Sequence, residues 1–193
     1  MFIELDVTDT VYVAPRHLTQ DQNQVIIQQI NNTQIGKHVK NCGIFVQAVK
    51  ILEVIDKEVQ QQDPTVHFRC NFRAIFFRPF RNEIIQGQIH TQTPKGILVC
   101  LKFFNDVFIP SSFLPQNSNF DTLENVWTWQ YEDTQFFFDP LDQVRVRVVD
   151  IAERVGGQEF TGEDYVEWMA NNSCFMIIGA MNESGLGSVR WWC

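Results

Sequence analysis

The sequence predicts an α+β unit over residues 1–79 followed by an all-β barrel of the OB-fold type over residues 80–193. Three observations carry this. A single long helical pattern lies early in the chain, between segments of strand character. After Pro79, short apolar runs broken by glycine and proline turns follow one another closely. The chain is also 45% hydrophobic and 13% aromatic, enough to build packed cores rather than a disordered coil.

In the first unit, Ile3, Leu5 and Val7 alternate with Glu4, Asp6 and Thr8, the period of a half-buried strand that Pro15 closes. Thr19 and Gln22 have capping-box spacing. Val25, Ile26, Ile27 and Ile30 then supply the apolar face of a helix over 21–34, with Gly36 at its C′ position. Strand character returns over 39–55, where Gly43 marks a bulge or a close approach. Gln60-Gln61-Gln62-Asp63-Pro64 is a polar loop. The clearest strand follows: Val66, Phe68, Cys70, Phe72, Ala74 and Phe76 share one face, and His67, Arg69, Asn71 and Arg73 the other.

In the second unit, a strand over 83–91 contains Gly87, and the turn Thr93-Pro94-Lys95-Gly96 leads to strands over 97–104 and 107–109. Pro110-Ser111-Ser112-Phe113 reads as a short turn. Trp127, Trp129 and Tyr131 alternate, as do Val144, Val146 and Val148 against Arg145 and Arg147. Strands over 174–179 and 186–192 complete a five-stranded OB barrel with extra edge strands. An insertion at about 151–172 holds Gly156-Gly157 and a short helical pattern over 163–170.

The formal charge of −8 is unevenly placed. Residues 1–79 hold eight acidic and eight basic side chains, and residues 80–193 hold fifteen and seven. Segment 150–167 alone carries six acids against Arg154. A nucleic-acid binder usually shows a basic footprint, and this chain does not. The five cysteines (Cys42, Cys70, Cys100, Cys174, Cys193) are scattered, and the four histidines (His17, His38, His67, His90) form no pair at metal-ligand spacing. Reduced thiols, no metal and no cofactor are therefore expected. The longest apolar run, 97–101, is too short to cross a bilayer. Glu4 and Asp6 stand where a signal peptide would begin with basic residues, so a soluble intracellular protein without membrane contact is expected.

The sequence holds no GxSxG, no phosphate-cradling loop and no nucleophile arrangement that its spacing supports, so a non-enzyme is expected. Glu132-Asp133 reads as a solvated turn, because neighbouring side chains diverge along a strand.

Several strings, taken in order, resemble the smaller-barrel subunit of the eukaryotic and archaeal RNA polymerase stalk. They are Val66-His67-Phe68-Arg69-Cys70, Phe77-Arg78-Pro79-Phe80, Phe103-Phe104-Asn105-Asp106 with Ile109-Pro110, and Trp127-Thr128-Trp129-Gln130-Tyr131. Further on come Val144-Arg145-Val146-Arg147-Val148-Val149-Asp150 and Gly185-Leu186-Gly187 leading into Trp191-Trp192. The Trp-x-Trp-x-Tyr segment and the terminal Trp pair are most similar to the RNA polymerase III member. The resemblance implies a tip domain over 1–79, an S1-like OB barrel over 80–193, and a nuclear, non-catalytic subunit. Such a subunit pairs with a helical partner, docks on the polymerase III core, lies near nascent RNA and supports initiation of short non-coding transcripts. The competing readings are a free-standing S1-type RNA-binding protein and an accessory subunit of a nuclease or other RNA-processing complex.

An OB barrel takes single strands on its second and third strands by aromatic stacking and basic groups. Here those positions offer His90, Lys95, Lys102, Phe103, Phe104 and Phe108. Each phenylalanine either stacks on a base or fills the barrel. S1 barrels that bind RNA well often carry an aromatic near the second strand's start and a histidine after the third, where this chain has Leu98 and Pro110. The acidic insertion on the rim would repel phosphate, so weak RNA affinity is expected. Arg69 and Arg73 either meet a partner's acids or stay solvated. Trp191 and Trp192, if in a strand, point to opposite faces, which would leave one ring for a partner interface.

Overall fold

A computed structural model describes residues 1–18, 21–59, 65–153 and 175–192. The chain divides into two units, Met1–Arg78 and Pro79–Cys193. Among the described residues the fold is mostly β-sheet with one α-helix.

The first unit contains β1 (Phe2–Val13), α1 (Gln22–Gln34), β2 (His38–Val39), β3 (Gly43–Val59) and β4 (Val66–Phe77). They form an antiparallel sheet in the order β1-β4-β3-β2, so β4 is central. The period-2 pattern of β4 is realised directly: Val66, Phe68, Cys70, Phe72, Ala74 and Phe76 are all buried. Helix α1 lays Val25, Ile26 and Ile30 on that face, in one cluster with Phe45, Phe68 and Phe72. Burying each such side chain stabilises by roughly 1.5–3 kcal/mol relative to exposure. Thr19 and the 60–64 loop lie outside the described residues. The helix cap is Asp21, whose carboxylate accepts from the Asn23 and Gln24 N–H groups at 2.9 and 3.4 Å. At the other end Gly36 takes a φ of +78°, and its N–H donates to the Phe45 carbonyl at 2.9 Å.

Strand β3 departs from simple alternation. Its register against β4 slips between Phe45 and Gln47, Ala48 and Lys50, Ile51 and Glu53, and Val54 and Asp56. The skipped residues are Val46, Val49, Leu52 and Ile55, one in every three. Phe45, Ala48, Ile51 and Val54 pack toward the core, while Val49, Leu52 and Ile55 are exposed. Each bulge adds local twist, so the strand curves along its length. Gly43, at its start, has a φ of +101°, and a Cβ there would sit 2.4 Å from the Phe77 carbonyl oxygen. Close approach, rather than a bulge, explains this glycine. Cys70 is fully buried. Burial, with a smaller contribution from the Asp9 charge, pushes its thiol up to about 11, so it remains a protonated apolar filler.

The second unit contains β5 (Ile84–Thr93), β6 (Gly96–Leu101), β7 (Phe104–Pro110), β8 (Ser118–Asp121), β9 (Val126–Tyr131), β10 (Thr134–Phe137), β11 (Gln143–Glu153), β12 (Phe175–Ala180) and β13 (Gly187–Ser188). One sheet has the order β12-β7-β6-β5-β11-β13, with β12 also pairing β11. The β12–β7 pairing is parallel. Inside lie Ile85, Ile89, Ile97, Val99, Val107, Ile109, Val144, Val146, Val148 and Ile177, all buried. Strands β8, β9 and β10 form a separate three-stranded sheet.

Two expectations change here. The insertion expected from residue 151 starts later, because β11 continues to Glu153 and pairs there with Phe175; the rest of it, with its Gly pair and helical pattern, lies outside the described residues. The strand expected over 186–192 is only β13, and Val189–Trp192 form a 3-10 turn. No described helix is long and apolar enough to cross a membrane. Among the described residues no His, Cys, Asp and Glu side chains group as a metal site.

Candidate interaction surfaces

The side chains expected to meet nucleic acid are not brought together. Lys95 is exposed in the β5–β6 turn and Lys102 in the β6–β7 turn, at opposite ends of β6. Strand rise puts those turns about 20 Å apart. His90 is exposed at the bulge where the β5–β6 register slips between Ile89 and Thr91. Phe104 and Phe108 are a correction: they are 8% and 2% exposed and fill packed space rather than offering stacking faces. Phe104 meets Phe175 edge-on at 5.7 Å. Phe108 clusters with Met176, Leu98 and Ala152. Of the three phenylalanines, only Phe103 is exposed.

On the first unit's polar face, Arg73 stands opposite Asp6 in the β1–β4 register. Its Nε and Nη2 donate to the two Asp6 carboxylate oxygens at 2.7 and 3.0 Å. The Arg73 hydrogen bond holds the Asp6 carboxyl below its ordinary range, with the charges of Arg73 and Lys50 acting in the same sense. Arg73 therefore has a partner within its own sheet. Arg69 is exposed, opposite Thr10 on β1 and Asp56 on β3.

A second surface gathers the four tryptophans among the described residues. Gln92, near the end of β5, anchors the three-stranded sheet: its Oε1 accepts from the Trp127 N–H at 2.7 Å and its Nε2 donates to the Phe138 carbonyl. The Trp127 indole donates to the Thr93 carbonyl at 2.9 Å, and its ring is buried. Two residues further along β9, Trp129 stacks on Phe136 at 5.4 Å, with Tyr131 and Trp191 at 5.3 and 5.1 Å. Trp191 also meets Phe138 edge-on at 4.6 Å. Trp192 remains 41% exposed while its indole donates to the Leu186 carbonyl at 2.9 Å. Trp129, Tyr131, Phe136, Trp191 and Trp192 line a groove of about 610 Å³.

The Trp pair is therefore carried by a 3-10 turn and divides its work, one ring packed and one exposed, by a route other than strand alternation. That turn is fixed by Asp142, which is buried, accepts from the Ser188 hydroxyl at 3.1 Å and pairs with Arg190 at 2.9 Å. Neither Gln92 nor Asp142 has a periodic signature, and sequence reading missed both. The Trp-x-Trp-x-Tyr string and the terminal Trp pair were the available signals of the groove.

By sequence the chain is similar to subunits of DNA-directed RNA polymerases. It is 31% identical to bovine "DNA-directed RNA polymerase III subunit RPC8" over 100% of this chain and 98% of that protein. It is 28% identical to the Saccharomyces cerevisiae protein of the same description, over the whole of both chains. A Dictyostelium discoideum RNA polymerase II subunit rpb7 is 21% identical over 77% of this chain and 86% of its own length. The model of the family described as RNA polymerase III subunit Rpc25 matches residues 83–192. The chain belongs to that family.

Proposed function

We propose that this chain is a non-catalytic stalk subunit of DNA-directed RNA polymerase III. It works in the nucleus, docks on the polymerase core together with a helical partner subunit, and supports initiation of short non-coding transcripts. The observation that carries this reading is the match to the Rpc25 family, extended by relatives that cover the entire chain. Residues 1–79 serve as the tip domain and residues 80–193 as an S1-like OB barrel with an acidic insertion. The pairings β5–β6, β6–β7, β7–β12, β12–β11 and β11–β5 support the barrel, since they return to the strand where they began.

Two features favour protein docking over RNA binding as the main task. Among the described residues no strand pairs the outer edge of β3 beyond its start, and Val49, Leu52 and Ile55 are exposed along that strand. Apolar surface of this kind marks an interaction site. Arg69 on the neighbouring strand and Trp192 on the barrel are further docking candidates. The second feature is that the barrel half of the chain is acidic and its exposed lysines are far apart. His90, Lys95 and Lys102 then make at most weak, sequence-blind contacts to nascent RNA.

Native purification of the tagged chain tests this reading. Stoichiometric recovery with the polymerase III subunits, unchanged by ribonuclease, is expected. Recovery as a lone chain on RNA, or within a nuclease complex, would overturn it.

A further inference from the structure

The aromatic groove of the second unit has a composition that selects its occupant. Tyr131 and Trp192 are 53% and 41% exposed inside one concavity, beside the half-buried Trp129 and Trp191. Among the described residues lining it, Glu132 and Glu183 are charged and none is lysine or arginine. Arg147 pairs with Glu183. Glu132, at the β9–β10 turn, then gives the rim its negative character. The remaining polar lining is uncharged, and the side-chain amides of Gln130 and Asn182 contribute carbonyl acceptors.

We propose that this groove binds an arginine-bearing segment of a protein partner. A guanidinium is planar, stacks on an indole or phenol face, and still donates in its own plane to carboxylate and amide oxygens. The exposed Tyr131 and Trp192 rings, in one groove with the Glu132 carboxylate and amide carbonyls, match both halves of that group. The alternatives fit less well. A nucleic acid could stack on the rings but would bring phosphate against Glu132, with Arg147, the base beside the rim, already paired to Glu183. A purely apolar helix would bury the Glu132 carboxylate without a counter-charge. The inference goes beyond the polymerase reading and does not depend on it, since it rests on the groove alone.

The test uses the full-length chain with its indole N–H resonances followed by NMR. The probes are a Gly-Arg-Gly-Arg-Gly peptide, its Gly-Glu-Gly-Glu-Gly counterpart and a short oligouridylate. The arginine peptide is expected to shift the Trp191 and Trp192 indoles saturably. Tyr131→Ala and Glu132→Lys should each weaken it about tenfold. Tyr131→Phe, which keeps the ring, and Glu53→Gln, on the other unit, should bind as the parent does. Shifts scattered over the acidic surface with the indoles unmoved would overturn the proposal. So would unchanged affinity in Tyr131→Ala and Glu132→Lys, or tighter binding of the oligouridylate or the glutamate peptide. Because the indole shifts are read on the unmodified chain, they decide the matter even where a variant fails to fold.

Discussion

Gly187 takes a φ of +86°, and a Cβ at that position would lie 2.5 Å from a ring carbon of Trp191. Backbone conformation and ring packing thus make the same demand on one residue. Replacing it by alanine should cost about 1–3 kcal/mol and push Trp191 off Phe138 and Trp129. Chemical denaturation followed by tryptophan fluorescence should show a lower midpoint and a shifted native emission. Unchanged values would mean that the ring yields freely. The Gly185-Leu186-Gly187 and Trp191-Trp192 strings were legible as a motif, but their conformation was not. Alternation assumes extended backbone, and a left-handed glycine followed by a 3-10 turn breaks that assumption. Phe104 and Phe108 show the same limit from another side. Their spacing allowed either stacking on a base or packing, and only the tertiary neighbours Phe175 and Met176 decide for packing.

At the scale of elements, β4 was readable because a central strand with one apolar face keeps a strict period of two. β3 was harder. Its inward residues recur every third position, and the skipped positions beside them are also aliphatic. The sequence therefore shows apolar pairs separated by Gln47, Lys50, Glu53 and Asp56, a period of three that matches neither strand alternation nor a helix face. Bulges set that period, and pairing with β4 sets the bulges. The three-stranded sheet of β8, β9 and β10 was expected only as extra edge strands, since its attachment depends on individual side-chain contacts that leave no periodic signal. Gln92 holds β9 through the Trp127 N–H and the segment after β10 through the Phe138 carbonyl. Gln92→Ala should destabilise the second unit by about 1–3 kcal/mol, because a half-buried amide loses its acceptor. Hydrogen exchange should speed up first at the Trp127 amide. Uniform protection in the variant would show that the sheet is held by packing alone.

For the molecule as a whole, charge is the property that argues most directly about partners. The acidity that sequence reading located in the second half belongs to a unit whose Lys95 and Lys102 sit at opposite ends of one strand. In the proposed function that distribution favours protein docking over RNA binding, and the apolar side chains exposed on β3 and in the tryptophan groove are the candidate docking surfaces. Membership of the Rpc25 family supplies the assembly in which such surfaces would be used. In the proposed role the chain supports initiation by polymerase III without taking part in its chemistry. Transcription by polymerase III purified without this chain is the decisive measurement of that role. Such an enzyme should extend RNA on a tailed template at the normal rate and fail at a promoter, and adding back the full chain should restore promoter initiation. Slowed extension on the tailed template, or add-back that leaves initiation unchanged, would contradict it.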